Sequence, residues 1–304
     1  MDSWIPLALL SSSFLGAVNI LDKLAVDRVK NPLRWTFYVG CVEIFLWIVA
    51  ASCLVRFSDF MDLSNLEVTA LGFGIGVFRG VTLILLVKAL RLGNVSNVVA
   101  IWSLNPIFVA LGASSFLGES IPTVAWAAIL VAVFGVFCVS WTGSTNTTRL
   151  TDFSIAVLAL TAGLTWAGSN LLSKLVLTDQ NIWHVYILSR IGISVTLMSL
   201  GVIKDVRYRA LFAWKDRYLV IILVLAELIA NVGLVFNFLA IHLGPVSLVS
   251  AVLSIQPMIV LIYSVGLALI LPWKFGTWIN QQKFLQQLFG IICIVCGIGW
   301  IALT

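Results

Sequence analysis

Apolar residues in this chain arrive in blocks about twenty long, parted by short polar clusters. They do not alternate with polar residues as half-buried strands would. A helix needs roughly 20 apolar residues to cross a hydrocarbon core of about 30 Å. Ten blocks meet that length or come close to it: 4–21, 35–55, 66–90, 95–117, 123–142, 153–177, 183–203, 219–242, 246–271 and 285–303. The pattern predicts an all-α integral membrane protein of ten transmembrane helices, and blocks of this length exclude an outer-membrane barrel of short alternating strands. The longest connectors, around 204–218 and 272–284, are too short to fold separately. Whatever the chain does, it does inside or across a membrane. Its first block lacks a basic lead-in and a small-residue cleavage site before Asp22, so it reads as a retained span and not as a signal peptide.

Composition agrees. Hydrophobic residues make up 61% of the chain, charged residues 10%, and mean hydropathy is +1.09. A soluble domain carries about 25% charged and 45–50% apolar residues, so a water-soluble enzyme is excluded, and so is a disordered chain. The net charge of +5 fits loops facing anionic lipid and does not call for a nucleic-acid partner. Membrane lipid and a small-molecule substrate are the expected partners, with a monomer sufficient. Cys293 and Cys296 form a CxxC inside a span, without His or carboxylate neighbours. Lipid-embedded packing is the better reading than a metal or redox site, and no cofactor is expected.

Self-similarity divides the chain. Shifted by 151 positions, residues 89–106 (ALRLGNVSNVVAIWSLNP) fall on 240–257 (AIHLGPVSLVSAVLSIQP), with nine of eighteen identical, including Gly93/Gly244, Ser96/Ser247 and Pro106/Pro257. The same shift lays 7–24 on 158–175 with seven of eighteen identical, including Asn19/Asn170 and Lys23/Lys174. The expectation is a five-helix unit present twice, over 1–145 and 152–304. Since five is odd, the second copy enters the membrane from the opposite side. Loop charge follows that inversion: fourteen Lys and Arg fall on one side of the predicted topology and two, Arg56 and Lys174, on the other. By the positive-inside rule the odd-numbered loops are cytoplasmic, and a bacterial inner (plasma) membrane is the expected location. Inverted repeats are a structural habit of secondary transporters, whose sites lie near the midplane at interrupted helices. Asn105-Pro106 and Gln256-Pro257 interrupt matching spans in this way.

The segment ALRLGNVSNVVAIWSLNPIFVALGASSFLGE at 89–119 resembles the drug/metabolite transporter superfamily, in its EamA-like branch. So does the five-plus-five arrangement, and the resemblance runs over essentially the whole chain. The second copy departs from it with Ile270 where Glu119 would map. The resemblance implies alternating-access transport of a small polar organic solute such as an amino acid or related metabolite. It implies a cavity among the third, fourth, eighth and ninth spans, with the first, second, sixth and seventh as moving gates. Export is the expected direction, with coupling to protons or to exchange.

Four charges sit near span centres, where each costs at least about 2.5–3.5 kcal/mol: Glu43, Arg79, Arg190 and Glu227. Two sets of pairs are open. One joins Glu43 to Arg79 and Arg190 to Glu227; the other joins Glu43 to Arg190 and Arg79 to Glu227. Three roles compete as well: structural ion pairing, contact with a zwitterionic or anionic solute in a wet cavity, and proton carriage by Glu43 or Glu227. Further polar candidates for the cavity are Asn19, Asn170, Asn105, Gln256, Asn231 and Tyr263, with Trp102 as a possible floor. Gly72, Gly76 and Gly80 read as a close helix contact, because no phosphate-binding Gly-Lys-Ser/Thr follows them. An intramembrane enzyme finds no HExxH, no mid-span Asp and no placed His base. A passive channel finds no filter ring. A scaffold or sensor that kept a transporter fold is the remaining alternative.

Overall fold

A computed structural model describes residues 3–29, 31–53, 65–92, 98, 101–102, 104–140, 149–178, 180–203, 206, 216–270 and 284–301. Among the described residues every long element is an α-helix. The first half holds α1 (Trp4–Val29), α2 (Pro32–Cys53), α3 (Leu66–Leu92), α4 (Asn105–Phe116) and α5 (Thr123–Ser140). The second holds α6 (Arg149–Leu177), α7 (Ile182–Met198), α8 (Arg217–Leu243), α9 (Val246–Leu253), α10 (Gln256–Ile270) and α11 (Phe284–Ile301). A 3-10 turn, Ser199–Val202, prolongs α7.

Among the described residues, six segments are long and apolar enough to cross a bilayer: Trp4–Asp22, Leu66–Leu92, Phe153–Leu177, Ile182–Val202, Arg217–Leu243 and Val246–Leu267. Asn105–Phe116, Thr123–Cys138 and Phe289–Trp300 are shorter apolar helices. Large apolar side chains such as Phe45, Ile48, Phe134 and Phe289 are more than half exposed, as a lipid-facing surface requires.

Polar residues set several helix ends. The Asn181 side chain accepts from the Trp183 amide at 2.9 Å and starts α7. The Asp216 carboxylate accepts from Tyr218 and Leu219 at 3.1 and 3.3 Å and starts α8. Each caps amides that the first helical turn leaves without intrahelical partners. Helices α1 and α6 run beyond their apolar blocks, to Val29 and from Arg149. Half of the residues behind the charge-bias argument, Lys30, Arg56, Lys204, Arg207, Arg209, Lys215, Lys274 and Lys283, lie outside the described residues. So does 93–97, the segment holding Gly93 and Ser96.

Packing places α1 along α8 and α3 along α6, while α2 meets α7 and α5 runs against α11. Helix α3 also lies along α7. The glycine column of α3 makes that second contact possible. A Cβ at Gly76 would stand 2.7 Å from the Ile193 amide nitrogen and 2.8 Å from the Gly192 Cα. One at Gly72 would meet Leu188, and one at Gly80 would meet Thr196. The three glycines therefore form a helix–helix contact, as their spacing predicts.

Candidate functional site

The two proline steps break their spans. In the second half, α9 ends at Leu253 and α10 begins at Gln256. The turn between them is held by i to i+3 bonds from Ser254 to Ala251 and from Ile255 to Val252. In the first half, Leu104 makes the same kind of bond to Ile101, and α4 starts at Asn105 with Pro106 in its first turn. Proline has no amide hydrogen, so a break at these points leaves no donor of its own unpaired.

A small cavity lies where the breaks meet. Trp102, Asn105, Trp166, Ser250, Ser254 and Gln256 line it, with Leu15, Leu253 and Pro257. Three pairs in this wall are separated by the repeat offset of 151: Leu15 with Trp166, Trp102 with Leu253, and Asn105 with Gln256. The cavity thus sits where equivalent positions of the two halves face each other. At about 20 Å³ it has room for a water molecule or two. The resemblance implied walls from the third, fourth, eighth and ninth spans. The observed lining comes from α1, the fourth span, α6 and the α9–α10 span, because Leu15 and Trp166 close it on the side toward α3 and α8.

Behind this wall lies a buried ionic cluster. Arg190 on α7 makes a two-pronged ion pair with Glu43 on α2, through Nε to Oε1 and Nη2 to Oε2. Glu227 on α8 reaches the same Nη2 at 3.5 Å. Glu43 also accepts from Trp47 Nε1 at 2.8 Å and from Asn231 Nδ2 at 3.4 Å. Tyr186 donates to Asn231 Oδ1 at 2.7 Å. All three charged groups are buried. A charge in such a place is tolerated only with partners, and Glu43 has three.

Arg79 is different. It is 4% exposed, and no carboxylate pairs with it among the described residues. Its Nη2 donates to Asn237 Oδ1 at 3.0 Å, while Nε and Nη1 have no hydrogen-bond partner. The guanidinium lies 4.5 Å from the Phe238 ring centre and 5.3 Å from that of Trp166. Neither expected set of pairs therefore forms in full. Glu43–Arg190 joins the two halves as one set required, and Arg190–Glu227 stays within a half as the other did. Arg79 belongs to neither pair, because it points to Asn237 and the aromatic rings.

The remaining candidates divide. Asn170 is fully buried and donates weakly, at 3.4 Å, to the cavity residue Ser250. Its repeat partner Asn19 is exposed on α1 and is not part of the cavity lining. Tyr263 is half-buried further along α10 and is not part of the lining. Lys174 donates to the Ile241 and Gly244 carbonyls at 3.0 and 2.8 Å, closing the end of α8. Glu119 accepts from the Val246 amide at 2.8 Å and the Ser247 hydroxyl at 2.7 Å, tying the first half to the start of α9. Ile270 cannot supply the equivalent tie. Cys293 and Cys296 are free thiols, and no group of three metal-ligating side chains occurs among the described residues.

Sequence reasoning passed over Trp47, Trp166, Tyr186 and Ser250, while Asn237 was among its weaker polar candidates. Trp166 alone had a signal, since the repeat lays it on Leu15. Trp47 and Ser250 fall on the apolar Met198 and Val99, and Tyr186 falls on Trp35.

Compared with known proteins, residues 2–141 match the EamA-like transporter family. No curated protein matches. A solved crystal structure, described only as that of a protein, aligns over 100% of this chain and 97% of its own, with a TM-score of 0.66 at 15% identity. At that identity the likeness shows the fold alone.

Proposed function

We propose, from the match of residues 2–141 to the EamA-like transporter family, that the chain is a secondary transporter of that family, within the drug/metabolite transporter superfamily. It carries a small polar organic solute across the membrane by alternating access, in the direction of export. It is built as ten spans in two inverted five-helix repeats. One observation carries the reading: a cavity walled by residues 151 apart, Asn105 and Gln256 among them, at the point where matching spans break. Interrupted helices at a repeat interface are where secondary transporters expose backbone to substrate. The packing supports the same reading, since α1 on α8 and α3 on α6 exchange under the repeat offset.

The present conformation is closed around a cavity too small for an organic solute. Transport then requires the halves to move about it, and Trp166 and Leu15 are the side chains that must leave. Glu43 and Arg190 act as a tie between α2 and α7. Glu227 is the carboxylate left to exchange a proton, for it holds Arg190 by one longer contact while Glu43 takes the two-pronged one. Around Glu227 stand Glu43, Arg190 and, from α1, Asp22.

A thermal-melting screen of the purified protein tests the reading. A solute that binds only the folded state raises its apparent stability by mass action, by about 2.7 kcal/mol at a hundred times Kd. Amino acids, organic acids, amines and sugar phosphates form the panel. At least one is expected to raise the melting temperature in a concentration-dependent, saturable way. Silence across all four classes contradicts the proposal.

A further inference from the structure

We propose that Arg79 is the anion-binding residue of this transporter and that its solute carries a single carboxylate. The inference rests on the transport reading above and deepens it.

The first ground is the charge of Arg79. A buried guanidinium costs free energy that a carboxylate normally offsets, and the mid-span carboxylates Glu43 and Glu227 are engaged with Arg190. Arg79 keeps Nε and Nη1 free. Its contacts with Phe238 and Trp166 stabilise the cation without consuming these donors. A charge held in this manner, with hydrogen-bonding capacity left over, is what a binding site for an anion requires.

The second ground is independent of charge. Besides Arg79, the buried side-chain atoms without a partner around this region are Trp102 Nε1, Asn237 Nδ2 and Asn170 Oδ1. Asn237 is oriented by the bond its Oδ1 accepts from Arg79, so its free atom is a donor. Donors outnumber acceptors four to one, and native proteins seldom leave such groups unsatisfied. A ligand that satisfies them is rich in acceptors and poor in donors. The α10 N-terminus at Gln256 adds a favourable dipole on the cavity side.

Trp166 connects the two places. It lines the cavity, meets Trp102 edge-on at 6.2 Å, and carries Arg79 over its ring. Displacement of that indole joins the cavity to the guanidinium. One free cation neutralises one negative charge, so a monoanion fits and a phosphate dianion would leave excess charge in the bilayer.

The test uses the purified full-length protein, with melting shifts read for lactate against lactamide, acetate against acetamide, and inorganic phosphate. Carboxylates should stabilise the protein and their amides should not, with phosphate weaker than the best carboxylate. Arg79→Gln should weaken carboxylate binding roughly 10- to 100-fold, the worth of a charged hydrogen bond. Asn237→Asp gives Arg79 a carboxylate of its own. That variant should fold at least as stably as the native protein and lose carboxylate binding to a similar degree, which keeps the test valid if Arg79→Gln fails to fold. Equal binding of acid and amide, phosphate binding above every carboxylate, or native affinity in Asn237→Asp overturns the proposal. If a neutral or cationic solute stabilises the protein while carboxylates are silent, the anion assignment falls and transport stands. If nothing in the wider panel binds, the transport reading itself falls.

Discussion

Arg190→Met should lower the stability of the folded protein by about 3–5 kcal/mol, the range for breaking a buried ion pair from one side. The substitution removes the cation that Glu43 and Glu227 share and leaves two carboxylates close together and out of water. Glu43 keeps Trp47 and Asn231 as donors, but neither supplies positive charge. Thermal melting in detergent measures the loss. Glu43→Gln in the same protein should restore most of it, because one buried charge is then gone and Glu227 can take up a proton. A double variant that is no more stable than Arg190→Met would show that the pair does not tie α2 to α7. If the double variant also recovers a transport activity that each single variant lacks, the pair's role is structural.

Gly76→Val should disrupt the bundle comparably. Its Cβ would stand 2.7 and 2.8 Å from backbone atoms of α7, and backbone cannot rotate aside as a side chain does. The helices must separate, and the neighbouring contacts of Gly72 with Leu188 and Gly80 with Thr196 loosen with them. Overpacking of this kind costs about 1–3 kcal/mol, and more where nothing can relax. Gly74 provides the control on the same helix, since a Cβ there meets nothing within 4 Å. Gly74→Ala should be neutral or slightly stabilising, because alanine has the higher helix propensity. Melting temperatures and the fraction of monodisperse protein on gel filtration report both. Equal effects at 74 and 76 would refute the close α3–α7 contact.

The helices were largely legible in the sequence because lipid imposes one length and one chemistry on every span. Periodicity within a span carries little information when all its faces are apolar, and the true ends differ for that reason: α1 continues past its apolar block to Val29 and α6 begins ahead of its own, at Arg149. The breaks at Pro106 and Pro257 were legible because proline acts through its own backbone. Partner choice in the ionic cluster was not. Glu43, Arg79, Arg190 and Glu227 could be placed by depth and by helical turn, but which guanidinium meets which carboxylate depends on how α2, α7 and α8 rotate against one another. Asn19 and Asn170 make the same point. The repeat offset aligns them and each lies four residues before a lysine, yet one is exposed and the other fully buried, because the two halves of this conformation are not packed alike.

The central claim is that one cavity serves both faces of the membrane in turn, and counterflow measures that directly. Proteoliposomes holding the purified protein are loaded with an unlabelled mixture of hydrophilic metabolites and diluted into the same mixture labelled with carbon-13. The label that enters is then identified by mass spectrometry. A carrier exchanges solute for solute, so uptake of its substrate should saturate with concentration and be accelerated by the same solute inside. The substrate identified in this way should carry one carboxylate. Entry that rises linearly with concentration and ignores the internal solute, or no entry above that of protein-free vesicles, would contradict the account.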